Sequence, residues 1–269
     1  MGKPRFVPIE SDKGFDETEN WQMVPSGGAR GLKLYDGTGL NLRMKWDKLT
    51  YNEVQLTGSD HREIWVSGQK PGTGVLEAYG SDYQTKASID LEVFEQRTLD
   101  VAYFIIKSQI KTGGKWSPNL TDGDIAGIHK QVNQVLFDQA NVLVNLKTFG
   151  TRETFEDLGS RVEWTTAQPA LRLIAHDRGV SHYVLFVWAI PDKGGGQSFG
   201  DYTLVSTLHT RTTEIYKDVA HELGHSICPA PGPDAPLHDC DLGLNYLMCD
   251  SPGHGAKVGK RRVREITRT

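Results

Sequence analysis

Apolar residues change their period partway along the chain. From about residue 31 to 97 they alternate: Leu32 and Leu34, then Leu40, Leu42 and Met44, then Ile64 and Val66, and finally Ile89, Leu91 and Val93. Asp36-Gly37, Gly58-Ser59-Asp60, Lys70-Pro71-Gly72 and Gly80-Ser81-Asp82 punctuate them, so this stretch predicts short strands joined by tight turns. Residues 1–30 are rich in Gly, Pro, Ser and charge without sustained periodicity and read as a lead-in segment. From 98 onward the pattern lengthens. Leu99–Ile106 is apolar enough for a strand buried on both faces. Ile125, Ile128, Val132, Val135 and Leu136 follow at helical spacing behind Thr121 and Asp124, a capping-box pair. Asn141–Leu146 predicts a second strand, and a short helix near Pro169–Asp177 precedes a third, Tyr183–Ile190. A glycine-rich loop at 194–196 leads to a fourth strand, Tyr202–Leu208. The last clear helix starts near Thr212 and carries Ile215, Val219, Leu223 and Ile227 down one side. The expected fold is therefore α+β or α/β: a small β-sandwich over 31–97, then a mixed sheet with helices over 98–269.

Composition narrows the function classes. The 269 residues carry 30 Lys+Arg against 34 Asp+Glu, a net charge of −4, which supplies no field for nucleic acid or an anionic membrane. The basic tail after Gly253 reads as a solvated amphipathic helix. No apolar run is long enough to span a bilayer, and the opening MGKPRFVPIESDKG has no apolar signal core. The expectation is a chain made in the cytoplasm that stays there, leaves without a cleaved leader, or has had one removed.

Residues 221–225, His-Glu-Leu-Gly-His, carry the chemistry. Side chains four apart share one helix face, so His221 and His225 present two imidazoles to one metal ion. Glu222 stands beside the first, placed to reach a water on that metal without binding the metal itself. Zinc brings such a water to a pKa of about 7, and a carboxylate then takes its proton as the oxygen attacks a carbonyl. With nine His in the chain, this spacing arises by chance about 0.02 times, so it carries information. The third ligand is sought downstream. Glu265 lies in the basic tail, so His238 is the better candidate, with Asp234, Asp239 and Asp241 as rivals.

The run HELGHSICPAPGPDAPLHDCDLGLNYLMC resembles the metzincin zinc peptidases, whose signature is HExxHxxGxxH followed by a methionine in a turn. The resemblance implies Zn2+ held by His221, His225 and His238, Glu222 as general base and Met248 as the turn methionine. It covers about 98–269 and includes the upstream order of strands and helices. The departure is local. The signature's glycine and third histidine fall on Cys228 and Pro231, so His238 is reached by a loop seven residues longer (238 against 231). Gly232 is a candidate substitute for the turn. Tyr246 is a candidate oxyanion donor by the same resemblance, or else a packing residue. Thr203–Thr207 would form the antiparallel edge strand that pairs with an extended peptide. Trp164 and Trp188 are assigned to core packing, and His209, at the end of the expected edge strand, to the surface or else to the cleft lining. The 31–97 segment, through IWVSG and PGTGVLEA, resembles bacterial immunoglobulin-like modules.

Cys228, Cys240 and Cys249 crowd around these parts. Either Cys228–Cys240 or Cys240–Cys249 would pin the loop, and three reduced thiols are the alternative. No C-x-x-C spacing occurs, which disfavours a cysteine-ligated metal. The function implied is a zinc-dependent endopeptidase acting on protein or peptide substrates. Rival readings are a zinc amidase acting on peptidoglycan peptides, a non-catalytic binding protein retaining the metal, and a β module that is itself the functional part. A leaderless peptidase behind a β module also resembles bacterial toxins and effectors exported by type VI secretion, with the module docking to the secretion machinery.

Overall fold

The computed structural model describes the chain outside residues 1–2, 11–12, 18–19, 47, 55–60, 110–115, 192–194, 209–212 and 228–269. The fold is mixed α+β and dominated by sheet. In the N-terminal part, β1 (Arg5–Pro8), β4 (Ala29–Tyr35), β7 (His61–Gly68) and β6 (Leu49–Val54) form an antiparallel sheet in that order. A second sheet runs β2 (Phe15–Asp16), β3 (Trp21–Pro25), β9 (Thr85–Phe94), β8 (Gly72–Tyr79), β5 (Asn41–Met44), with β3 and β9 parallel. Leu32, Leu34, Ile64 and Val66 of the first sheet share one buried cluster with Leu76, Ile89, Leu91 and Val93 of the second. Alternation there reports a one-sided core, as expected for antiparallel strands.

Strands β1 to β3 lie within the segment that reads as a lead-in. Strand β3 shows why periodicity misses it: every residue is buried. Val24 faces the shared cluster of the two sheets, while Trp21 and Met23 enter the core of the C-terminal part. A strand buried on both faces has no polar side to alternate with.

Residues 95–96 join β9 to β10 (Arg97–Ser108), the central strand of a third sheet. There follow α1 (Asp122–Ala140), β11 (Val142–Thr154), α2 (Trp164–Ala175), β12 (His182–Val187), β13 (Gly196–Phe199), β14 (Tyr202–Ser206) and α3 (Ile215–Ile227). The sheet order is β11-β10-β12-β14-β13, and every neighbouring pair is parallel except β13 with β14. Residues Val101 to Ile106 of β10 are wholly buried, as a strand covered on both faces requires. Val101, Tyr103 and Ile105 pack against α1 and α3, whereas Ala102, Phe104 and Ile106 pack on the side of α2. Thr121 and Asp124 form the anticipated capping box, Thr121 N–H donating to Asp124 Oδ2 at 2.8 Å. Helix α2 begins five residues before Pro169, which sits inside it. The first turn is closed by Ala167 N–H donating to the Glu163 carbonyl at 2.9 Å. Trp164 then stacks on Phe199 with ring centroids 4.8 Å apart, and this packing fixes a start that the proline does not mark.

The N-terminal sheets are tied to the third through α1. Arg30 Nη2 donates to the Asp138 carbonyl (2.9 Å) and Asn141 Nδ2 to the Phe94 carbonyl (2.9 Å). Gly14, at φ +66°, lies where a Cβ would stand 2.9 Å from the Gln139 carbonyl oxygen. Among the described residues no helix is long and apolar enough to cross a membrane.

Candidate metal centre

Helix α3 carries two faces at once. Ile215, Val219, Ala220 and Leu223 are buried in the core beneath the sheet, which is what makes this segment helical in place. His221, Glu222 and His225 lie on the remaining surface of the same turns. His221 and Glu222 are nonetheless only 5% and 7% exposed, so they are packed against protein rather than open to solvent. The Nε2 atoms of His221 and His225 face one another at 3.0 Å, the rings 4.7 Å apart and nearly perpendicular at 81°. Two nitrogens each about 2.0–2.1 Å from a tetrahedral zinc stand roughly 3.3 Å apart, so the observed pair fits a shared ion with a shift of a few tenths of an ångström. Among the described residues no group of three or more potential ligands gathers.

The structure moves the sheet edge. Tyr202–Ser206, which contains most of the segment expected at the edge, is an interior strand: β14 pairs with β12 on one side and β13 on the other, and all five residues are buried. The antiparallel outer strand is β13, which begins on Gly196, the last residue of the expected glycine-rich loop, and runs through the residues between that loop and Tyr202. Its sequence, GQSF, has no apolar alternation, and it becomes a strand only through its ladder with β14.

The glycines have a steric purpose. A Cβ on Gly195 would stand 2.4 Å from Asp218 Cγ, and one on Gly196 would stand 2.5 Å from Glu222 Cγ. Asp218 and Glu222 are four apart on α3, so successive glycines of the incoming chain fit over successive carboxylates of the helix. The approach brings Ser198 onto Glu222. Its hydroxyl lies 2.8 Å from Oε2 and 2.7 Å from the Glu222 carbonyl oxygen, and 3.3 Å from Thr203 Oγ1. Composition and spacing do not single out Ser198; the adjacent Gly-Gly was the available signal, since glycine pairs mark close backbone approach.

Of the sequence-derived candidates, the structure brings His221 and His225 together, and it places Glu222 on the same helix with its carboxylate on Ser198. His238, Met248, Tyr246, His209, the three aspartates and the three cysteines lie outside the described residues. Trp188 is buried and Trp164 packs partly buried against the same core.

No family model matches the chain, and no curated protein does. Among solved structures, domains 1–6 of the surface layer protein SbsC match at 13% identity, covering 42% of this chain and 16% of that one, with a TM-score of 0.24. A carbohydrate acetylesterase from Xanthomonas citri matches at 9% identity over 67% of this chain and 51% of that one, with a TM-score of 0.22. The chain thus spans about a sixth and about half of these two structures.

Proposed function

We propose that this chain is a zinc-dependent endopeptidase of metzincin type behind an immunoglobulin-like β-sandwich. The observation that carries the reading is the convergence of the two imidazole Nε2 atoms at 3.0 Å on α3. Glu222, next to the first histidine in the chain, is held under the outer strand by Ser198. The strand order β11-β10-β12-β14-β13, with a single antiparallel strand outermost, also supports it. His221 and His225 would hold the ion, with His238 as third ligand and Met248 as the turn methionine on the strength of the sequence resemblance. A zinc ion there supplies Lewis acidity to the water and the scissile carbonyl. Glu222 takes a proton from the attacking water and returns it to the departing nitrogen, so that water adds across the peptide bond to give a carboxyl group and an amine. Strand β13 offers its outer edge to an extended substrate by main-chain pairing.

The test is mass-spectrometric cleavage of an unbiased peptide library by the purified zinc-loaded chain, with Glu222→Ala and a parallel digestion of peptidoglycan fragments. Cuts in the library that vanish in the variant support an endopeptidase. Release from peptidoglycan alone moves the assignment to an amidase. Turnover of neither by folded, zinc-loaded chain refutes hydrolysis and leaves a metal-binding role.

A further inference from the structure

We infer that Ser198 is a positioning residue for Glu222, orienting its carboxylate through a hydroxyl chain that begins at Thr203. This inference rests on the peptidase reading above. Thr203 lies on the interior strand β14 and is 1% exposed, so its hydroxyl needs a partner inside the protein. The partner is Ser198 Oγ at 3.3 Å. A serine hydroxyl carries one proton and accepts on its lone pairs. With Thr203 donating to Ser198, the serine proton is directed to Glu222, where it meets Oε2 at 2.8 Å and the main-chain carbonyl at 2.7 Å. One hydroxyl therefore ties the end of the side chain to its own backbone, which limits the rotation of the carboxylate. Gly196 closes the other side, because its backbone approaches Glu222 so nearly that no Cβ fits. The outer strand thus holds the base at two points, a contact and a hydrogen bond. The consequence is a carboxylate fixed before substrate arrives, the condition under which proton transfer gains most from position. The hydrogen bonds of Ser198 run to Glu222 and Thr203, so its effect falls on the base.

The experiment uses the full chain with Ser198→Ala, Ser198→Thr, Glu222→Ala and the Ser198→Ala/Glu222→Ala double variant. The first readout needs no metal: melting of the chelator-treated proteins as a double-mutant cycle. Ser198→Ala should lower the melting temperature more in the wild-type background than in the Glu222→Ala background. Additive shifts would overturn the inference at the level of the contact. The second readout is steady-state cleavage of a peptide drawn from the library. General base catalysis contributes about 10²–10⁴-fold, and Ser198→Ala should forfeit at least about tenfold of it in kcat. KM and zinc affinity, the latter by chelator competition with zinc alone, should stay within about twofold, and Ser198→Thr should recover most of the loss. An active wild type whose kcat is unchanged by Ser198→Ala refutes the positioning role and leaves the peptidase intact. A wild type that binds zinc and cleaves nothing refutes the peptidase reading, and the positioning role falls with it.

Discussion

Replacing Gly196 by alanine puts a single methyl group against the proposed base. The added Cβ would lie 2.5 Å from Glu222 Cγ and 3.0 Å from both Cδ and Oε1, distances at which one partner must move. The backbone of Gly196 is not among those with positive φ, so alanine suffers no conformational penalty and the steric one stands alone. Two things can yield, the strand or the side chain. Strand β13 is stitched to β14 through Gly196 to Phe199, whereas Glu222 turns about its own single bonds. The side chain yields, and the carboxylate leaves its place. Overpacking of this kind destabilises by about 1–3 kcal/mol. At roughly 2–4 °C per kcal/mol, the melting temperature should fall by about 2–12 °C. Activity should fall further in proportion, since a displacement of about 1 Å at a reacting group is worth on the order of 10²-fold. Gly195→Ala is the matched control. Its Cβ meets Asp218 Cγ at 2.4 Å instead, so it should melt like Gly196→Ala while retaining much more turnover. Differential scanning fluorimetry and kcat on one peptide substrate measure both quantities. A Gly196→Ala protein with wild-type kcat, or two glycine variants of equal activity, would refute the argument that β13 presses on the base.

Trp21→Ala should destabilise the whole chain by about 3–5 kcal/mol, a melting shift of roughly 6–20 °C, because Trp21 is fully buried in the core it shares with α1 and β10. A small shift confined to one of two separate transitions would show the N-terminal sheets to be independent. Acid sensitivity should come in part from His129 on α1. Its ring packs edge-on to Tyr103 at 5.8 Å, its Nδ1 is buried with no hydrogen-bond partner among the described residues, and burial holds its pKa below the usual imidazole range. The unfolded chain therefore takes the proton first as pH falls. The contribution is complete above about pH 6.5 and is lost progressively below it. His129→Gln should flatten the dependence of melting temperature between pH 7.5 and 5; an unchanged slope would exclude His129 as its source.

Legibility in the sequence followed one-sidedness of burial. Strands with one wet face, such as β7 and β9, announced themselves by alternation, and α1 by its cap and its apolar spacing. Strand β3 did not, because Trp21, Met23 and Val24 serve two cores at once. The outer strand β13 did not either, because a partner's ladder and not its own composition makes it a strand. His221 and His225 were legible because helix geometry alone brings residues four apart together, and Glu222 by its place next to the first of them. Ser198 was not, since its nearness to Glu222 spans 24 positions and depends on two glycines whose missing side chains leave the space.

The central claim is a zinc ion held by the paired histidines of α3, and direct titration of the metal-free full chain with zinc tests it. One ion should bind per chain, with binding retained in Glu222→Gln and lost when His221 and His225 are both replaced by alanine. Undiminished binding in the double histidine variant, or no binding by the folded wild type, would contradict it.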